Sequence, residues 1–161
     1  MANANTELIE TFYRAFDEGD GDTMAACYAP DVQFSDPVFP DLRGPRAGAM
    51  WRMLTGTPGD LRIELLEHSA DEASGSAHWR AHYVFSETGR PVINDVHAGF
   101  RFRDGLIVEH RDDFSFHAWS RQALGPVGLL LGWTPIVRSA VRKKAGGKLD
   151  EFAGAPAGVT G

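Results

Sequence analysis

The sequence predicts a single α+β domain, because apolar residues recur at a helical spacing near its start and at a spacing of two in its middle. The helical pattern occurs in three segments within residues 6–55, and residues 61–117 alternate between apolar and polar side chains. A chain of 161 residues can bury one core without disulfides or metal ions. We therefore expect an α+β protein with three N-terminal helices and an antiparallel sheet, in one domain over 1–152 followed by a flexible tail over 153–161.

Three helices are predicted in the first third of the chain. The first, over about 6–18, has apolar residues at positions i, i+3 and i+4, namely Leu8, Ile9, Phe12, Tyr13 and Phe16. The second is short; it begins at Asp20 or Asp22, carries Cys27 and Tyr28, and ends before Pro30. The third, over about 46–55, ends at the turn signal of residues 56–59 and has an apolar side formed by Met50, Trp51 and Leu54.

The segments outside the helices and the main sheet are predicted from their glycine and proline content. Residues 32–35 resemble an extended strand, and residues 36–45 contain three prolines, which favour a loop. Near the C-terminus we expect a short helix that ends at Leu124. An apolar stretch over 125–137, interrupted by glycine and proline, and a basic helix over about 136–144 follow.

Four strands in the alternating region are expected to form an antiparallel meander, and their turns set the register. A two-residue turn at 88–89 places Trp79 opposite Ala98, and a three-residue turn at 103–105 places His110 opposite Ala98. The predicted apolar face carries Trp79, Ala81, Tyr83, Phe85, Val96, Ala98, Phe100, Phe102, Val108, Phe114 and Phe116. The predicted polar face carries His78, Arg80, His82, Asp95, His97, Arg101, Glu109, Arg111 and Asp113.

Charge and hydropathy argue against several classes of partner. The 16 Lys and Arg residues against 22 Asp and Glu residues give a formal charge of -6, so there is no basic field to attract nucleic acid. The longest apolar run is shorter than the roughly 20 residues of a membrane span. Because we see no signal peptide and the single Cys27 cannot form an internal disulfide, we expect a cytoplasmic protein.

Three polar side chains interrupt the predicted apolar face of the sheet: Asn94, His110 and Asp112, with the phenol of Tyr83 beside them. The register sets Asp112 opposite Val96, so its carboxylate would lie among small apolar groups. Burial raises the pKa of a carboxylate towards the range that is useful for proton transfer. Asp112 is therefore the first candidate for a catalytic base; the alternative is a structural aspartate that accepts hydrogen bonds from His110 or Tyr83.

Asp36 is a second candidate because it begins a loop directly after an extended segment, where a side chain can point into a cleft. The alternative is that Asp36-Pro37 only initiates a turn. No metal site or cofactor is predicted, because most of the histidines fall on the polar face and no zinc-ligand spacing occurs.

The order of elements resembles the SnoaL-like and ketosteroid-isomerase-like branch of the nuclear transport factor 2-like superfamily. The resemblance covers about 8–117 and rests on Phe16-x-x-Gly19-Asp20, the run Tyr28 to Val38 with its Asp36-Pro37-Val38 loop, the Phe100-x-Phe102-x-x-Gly105 hairpin, and Arg111-Asp112-x-Phe114. It implies a cone-shaped fold in which a curved antiparallel sheet wraps on the three N-terminal helices. The cavity between helices and sheet would bind a small hydrophobic molecule. The resemblance also implies a homodimer.

The resemblance further implies roles for individual residues. Asp36 matches the general base of ketosteroid isomerase, while Phe12 and Ala98 stand where that enzyme has its two oxyanion donors. In their place, Tyr13, Tyr83 or Asp112 would donate from elsewhere. Asp112 looks like the second carboxylate of limonene epoxide hydrolase. The Arg and Asp of that hydrolase are replaced here by Trp79 and Ala81. In SnoaL-like polyketide cyclases, a carboxylate and a histidine act together, and Asp112 and His110 are plausible counterparts.

The function that these observations favour is a cofactor-independent isomerase or polyketide-cyclase-like enzyme that acts on a hydrophobic carbonyl compound. Asp112 would be the base, His110 would orient it or shuttle the proton, and Asp36 would be a second acid or base. Tyr83 and Asn94 would donate hydrogen bonds to the developing oxyanion. The other substrate-binding residues would be Phe12, Trp51, Trp79, Ala98 and Phe114.

Three other functions stay open at this point. The same cavity would suit a protein that binds a hydrophobic ligand without catalysis, or an epoxide-hydrolase-like enzyme. An assembly or transport adaptor would instead expose a large apolar patch, for which the stretch over 129–133 is the candidate.

Overall fold

The structure, a computed structural model, describes residues 3–56, 61–132 and 134–159. It has six helices in these ranges: α1 (Ala4–Asp17), α2 (Gly21–Ala26), α3 (Pro45–Gly56), α4 (Phe116–Leu124), α5 (Pro126–Leu131) and α6 (Pro135–Val159). Six strands are described: β1 (Tyr28–Ser35), β2 (Leu42–Arg43), β3 (Arg62–Ala70), β4 (Ser74–Phe85), β5 (Arg90–Arg103) and β6 (Leu106–Asp113).

The predicted α+β class, with N-terminal helices on one curved sheet, is confirmed. The strands form a single open sheet in the order β2-β1-β6-β5-β4-β3. Strands β3 to β6 are the predicted antiparallel meander, whereas β1 joins it in parallel through β6. The core lies between the inner face of this sheet and helices α1 and α3, which bury Phe12, Phe16 and Trp51.

The second helix is shorter than predicted, and this difference changes the site. Helix α2 has Asp20 as its N-cap and ends at Ala26. Tyr28 is therefore the first residue of β1 rather than part of a helix. Pro30 explains the change, because proline disfavours helical backbone in the residue before it and extends the chain. The predicted loop over 36–45 also contains the short strand β2.

The predicted register between β4 and β5 is wrong by two residues. Trp79 pairs with Val96 rather than with Ala98, because the turn that joins these strands occupies residues 86–89 rather than 88–89. An offset of two keeps every side chain on its own face, since side chains alternate along a strand. The predicted inner face of these two strands therefore holds.

The turn between β5 and β6 also differs from the prediction. Arg103 pairs with Leu106, so the turn has two residues, Asp104 and Gly105, with φ of 53° and 77°. Positive φ at both positions is typical of a type I′ hairpin. A bulge follows and places Ile107, which is fully buried, in the core instead of the predicted Val108. Beyond the bulge, the alternation returns to the expected faces.

The cross-strand partners of β6 on β5 therefore also differ from the predicted ones. Ala98 lies opposite Asp112 instead of His110, and Phe100 lies opposite His110. Both polar residues still face the core, where His110 is fully buried and Asp112 is 4% exposed. Phe116 belongs to α4 and not to the last strand, but it is buried in a second, smaller cluster with Val92, Trp119 and Ala123.

The C-terminal part is more helical than expected. Helix α6 continues well beyond the predicted end at 144, and α5 exposes Leu129, Leu130 and Leu131. Trp133 and the turn signal at 57–59 lie outside the described residues. No described helix has both the length and the hydrophobicity needed to cross a membrane. The domain boundary at 152 and the tail over 153–161 stay predictions.

We predict that Gly21→Ala destabilises the fold by crowding α2 against α3. A Cβ at this position would lie 2.7 Å from Cα of Arg52 and 2.6 Å from Oγ1 of Thr55. Relief requires backbone movement next to Trp51, and overpacking of this kind costs about 1–3 kcal/mol. Urea denaturation measures the change.

The matched control is Gly146→Ala in α6, where an added Cβ meets nothing within 4 Å. Alanine in a helix interior is more favourable than glycine by about 0.5–1 kcal/mol, so the control is expected to be neutral or stabilising. Equal midpoints for the two variants would contradict the close packing of α2 on α3.

Candidate functional site

A chain of hydrogen bonds crosses the core and ends at Asp112. Trp51 Nε1 donates to the hydroxyl of Tyr28 over 2.7 Å. That hydroxyl lies 2.8 Å from Nδ1 of His110. The other ring nitrogen of His110, Nε2, lies 2.8 Å from Oδ1 of Asp112. The chain connects one helix and two strands, so it joins the layers of the fold.

The elements of the fold explain why these side chains meet. His110 and Asp112 are two residues apart on β6 and therefore point to the same face. Strand β1 runs parallel to β6 and brings Tyr28 next to His110. Helix α3 covers both strands, and the Trp51 ring stacks on the imidazole at 6.1 Å and 15°. Three further rings surround it: Phe12, Phe34 and Phe100.

The hydrogen bonds assign the protons of this chain. The Tyr28 oxygen already accepts from Trp51, and burial raises the pKa of Tyr28 well above 10.0, so its hydroxyl keeps its proton. Donation of that proton to Nδ1 of His110 leaves Nε2–H to donate to Asp112. Each donor of the chain and each nitrogen of the imidazole then has a hydrogen-bond partner.

Two buried donors next to this chain have no hydrogen-bond partner among the described residues: the Tyr13 hydroxyl and Trp79 Nε1. Their rings are 5.5 Å apart, across the space between α1 and β4. Burial raises the pKa of Tyr13 well above 10.0, and the negative charge of Asp112 raises it further. Unpaired buried donors are costly and rare, so these two atoms mark a place where an acceptor would be stabilised.

Asp36 lies at the end of β1 in a tight turn. Its Oδ1 accepts hydrogen bonds from the backbone N–H groups of Val38 and Phe39, at 2.7 and 2.6 Å. Burial raises the pKa of Asp36 to about 7, and the charge of Asp112 contributes to the rise. The two backbone hydrogen bonds and Arg142 oppose this rise. Arg142 comes from α6 and holds the same turn by donating to the carbonyl of Pro37.

Tyr83 and Asn94 lie away from the chain of hydrogen bonds. The Tyr83 hydroxyl accepts from Trp119 Nε1 at 2.7 Å, and burial raises the pKa of Tyr83 to about 12. Asn94 and Phe114 line a groove of about 480 Å³ beside α4, which neither His110 nor Asp112 lines. Of the two structural hydrogen bonds considered for Asp112, the one from His110 is present, whereas Tyr83 bonds to Trp119.

The remaining predicted residues lie in the core. Phe12, Trp51, Trp79 and Ala98 all belong to the main buried cluster, and their roles stay predictions. The role of Tyr28 was not predicted from the sequence. A usable signal for it was Pro30, which requires extended chain before it. Tyr13 was expected only as one of three alternative donors, because an aromatic residue on the apolar side of a helix looks like core packing.

Metal-binding side chains converge elsewhere in the described part of the chain. His78, Asp95 and His97 approach one another closely on the outer face of the sheet. Around Asp112, in contrast, the donors are aromatic hydroxyl and N–H groups, which suit an organic acceptor better than a metal ion.

A family model described as a SnoaL-like domain matches residues 9–110 of the chain. No curated protein matches the sequence significantly. Solved structures give the same fold at low sequence identity, which confirms the resemblance expected from the sequence.

Three of the similar structures illustrate the range. An LEH-like epoxide hydrolase from M. tuberculosis has a TM-score of 0.64 at 23% identity, covering 80% of this chain and 96% of that chain. A putative polyketide cyclase from Xanthomonas campestris pv. campestris has a TM-score of 0.63 at 24% identity, covering 74% of this chain and 96% of that chain. A protein with a ketosteroid isomerase-like fold from Catenulispora acidiphila, in complex with trimethylamine, has a TM-score of 0.65 at 14% identity, covering 80% of this chain and 98% of that chain. At these identities the likeness concerns the fold alone.

We predict that Tyr28→Phe destabilises the protein more than Tyr83→Phe does. The first change leaves Trp51 Nε1 and His110 Nδ1 without their shared partner, whereas the second affects Trp119 Nε1 alone. Each buried group left unsatisfied costs about 1–3 kcal/mol. Equal losses in urea denaturation would contradict the chain of hydrogen bonds.

We also predict a pH-dependent effect of Asp36→Asn. The pKa of Asp36 is about 7 in the folded state against 3.8 ordinarily, so between these values the folded state binds more protons than the unfolded state. The stability that Asp36 contributes is therefore fully present below its unfolded pKa and is lost as the pH rises through about 7. Asparagine keeps the backbone hydrogen bonds and does not titrate. The Tm gain of the variant over the wild type should grow from about pH 5 to pH 8, by about 2 °C or more.

Asp71→Asn is the matched control for this experiment. Oδ1 of Asp71 also accepts from two backbone N–H groups, at Ala73 and Ser74, but the side chain is exposed. These hydrogen bonds hold its pKa below the ordinary value, so its stability contribution is present at neutral pH and lost on acidification. No Tm gain is expected at pH 8. A similar Tm gain in both variants would contradict the claim that burial raises the pKa of Asp36.

Proposed function

Because the chain belongs to the SnoaL-like domain family, we propose that it is a cofactor-independent enzyme that moves a proton on a hydrophobic, carbonyl-containing small molecule. The observation that carries the proposal is a buried carboxylate, Asp112, supported by His110 on one side. The Tyr13 hydroxyl and Trp79 Nε1 lie in the same core and have no acceptor among the described residues. The reaction type is an isomerisation or a cyclisation of the polyketide-cyclase kind.

Asp112 is the base in this proposal. One of its oxygens accepts from His110, and the other makes no hydrogen bond to a described residue, which leaves it for a substrate proton. The carboxylate removes a proton from the carbon next to the substrate carbonyl; the electron pair of that C–H bond forms a C=C bond, and the π pair of the carbonyl moves to its oxygen. Return of the proton to a different carbon gives the isomer. Attack of the enolate carbon on a second carbonyl closes a ring, and the alkoxide formed there takes the proton back from Asp112.

Tyr13 and Trp79 are assigned as the donors to the enolate oxygen. Both bring a buried hydrogen without an acceptor among the described residues, whereas the Tyr83 hydroxyl lies beside Trp119, away from His110 and Asp112. Fixed donors directed at a developing negative charge usually provide the largest single part of a rate enhancement. Tyr83 and Asn94, which the sequence favoured for this role, remain candidates for contacts farther along the substrate.

Asp36 is the second acid or base. A pKa of about 7 lets it accept and return a proton at neutral pH, which is the best condition for general acid–base catalysis. Its environment differs from that of Asp112, because its oxygen is held by backbone N–H groups instead of an imidazole. The ketosteroid-isomerase resemblance of this position supports the same role.

The predicted homodimer and cytoplasmic location stay predictions.

A protein that binds a hydrophobic ligand without catalysis is the second candidate. The observation that favours it is the chain from Trp51 to Asp112, in which every donor and both imidazole nitrogens already have a partner. Such a chain is stable without any substrate. In this case Tyr13 and Trp79 would bind a ligand oxygen, and Asp112 would do no chemistry. The epoxide-hydrolase-like alternative is tested by the same substrate panel.

The experiment compares turnover and binding for Asp112→Asn and Asp36→Asn on a panel of hydrophobic ketones, epoxides and polyketide-like esters. We expect turnover to fall by about a hundredfold or more in Asp112→Asn, because general base catalysis contributes that much, while ligand-induced Tm shifts persist. A smaller loss is expected for Asp36→Asn. Turnover of epoxides alone would favour the hydrolase alternative.

Asp113→Asn is the matched control, because Asp113 is the next residue on β6 and is exposed on the outer face. It should leave turnover unchanged. If no compound is turned over by the wild type but several raise its Tm in all variants, the enzyme proposal is wrong and the binding protein takes its place.

A further inference from the structure

The outer face of the sheet carries a compact group of two histidines and one aspartate, on the opposite side from Asp112. His78 lies on β4, while Asp95 and His97 lie on β5. His78 and His97 are direct cross-strand partners, and Asp95 precedes His97 by two residues on the same face. One ligand atom from each of the three side chains lies within 4.8 Å of the others.

The contacts within this group are directed at a single carboxylate. Nε2 of His78 is 2.9 Å from Oδ1 of Asp95, and Nε2 of His97 is 3.8 Å from Oδ2. The imidazole rings are stacked at 4.3 Å and 11°, so both present the same edge towards Asp95. Two imidazole nitrogens and one carboxylate oxygen are a typical ligand set for zinc, with an open position for water.

Solvent can reach the group. The side chains of His78, Asp95 and His97 are 27%, 47% and 67% exposed, so an ion can enter without unfolding of the sheet. Asp113 lines the same groove as Asp95 and His97 and adds a second negative charge.

Arg80 competes for this carboxylate. Its Nη2 and Nε lie 3.2 and 3.3 Å from Oδ1 of Asp95. Oδ2 is free of Arg80 and faces His97. A cation between the two histidines would therefore use Oδ2 and would be repelled by the neighbouring guanidinium.

We propose that His78, Asp95 and His97 form a binding site for a divalent transition-metal ion of the zinc type. The site is separate from the proposed acid–base site, because the sheet lies between them. It does not depend on the proposed enzymatic function.

Isothermal titration with Zn²⁺, on protein first dialysed against a chelator, tests the proposal. We expect one ion per chain. Since loss of an outer-shell partner already costs about 10- to 100-fold in metal affinity, His97→Ala and Asp95→Asn should each weaken binding by about tenfold or more. Co²⁺ in place of Zn²⁺ should give an absorption band that is lost in His97→Ala.

Two further variants make the result specific. His82→Ala is the matched control, because His82 lies on the same strand and face as His78 but pairs with Glu64. Its Zn²⁺ affinity should equal that of the wild type. Arg80→Gln should bind Zn²⁺ more tightly, since the competing charge is gone. Absence of binding, an equal loss in His82→Ala, or an unchanged or lower affinity in Arg80→Gln would overturn the proposal.

Discussion

The requirement that both nitrogens of a fully buried imidazole be hydrogen-bonded is the constraint on which the rest of this structure depends. His110 is enclosed by aromatic rings, where an unpaired polar atom would cost several kcal/mol. Tyr28 satisfies Nδ1 and Asp112 satisfies Nε2. To supply Tyr28, β1 must run beside β6, and to orient Tyr28, Trp51 must reach down from α3. One histidine thus relates the order of strands to the placement of a helix.

The same constraint separates the two inner carboxylates. Asp112 has a hydrogen-bond partner in His110, and its charge acts on its surroundings. It raises the pKa of Asp36 and of Tyr13. Asp36, which has no imidazole beside it, has a pKa of about 7 and takes up a proton near neutral pH. The acid and the base of the proposed reaction are therefore distinguished by hydrogen bonding and not by residue type.

Most of the fold and the central part of the candidate site could be predicted from the sequence, for a physical reason. Burial requires a strict alternation of side chains, and a register error of two residues does not alter it, so His110 and Asp112 were placed correctly on the inner face. The two-residue turn with its bulge could not be predicted, because Arg103-Asp104-Gly105 is compatible with two turn lengths. To predict the role of Tyr28, one would need the residue at which the short helix α2 ends. Helix ends are the features that a sequence pattern defines least well.

The outer face shows the limit of the same reasoning. An error of two residues that leaves the inner face intact changes every cross-strand partner. The predicted register separates His78 from His97, whereas the true register makes them neighbours around Asp95. Because these side chains are exposed in either register, neither register costs free energy of burial. The hydropathy pattern therefore does not distinguish the two registers on the outer face. A site built from cross-strand pairs of exposed residues can therefore be recognised only when the turns are known. A site built from buried polar residues can be recognised in the sequence, because burying a polar group costs free energy and such residues interrupt the apolar pattern.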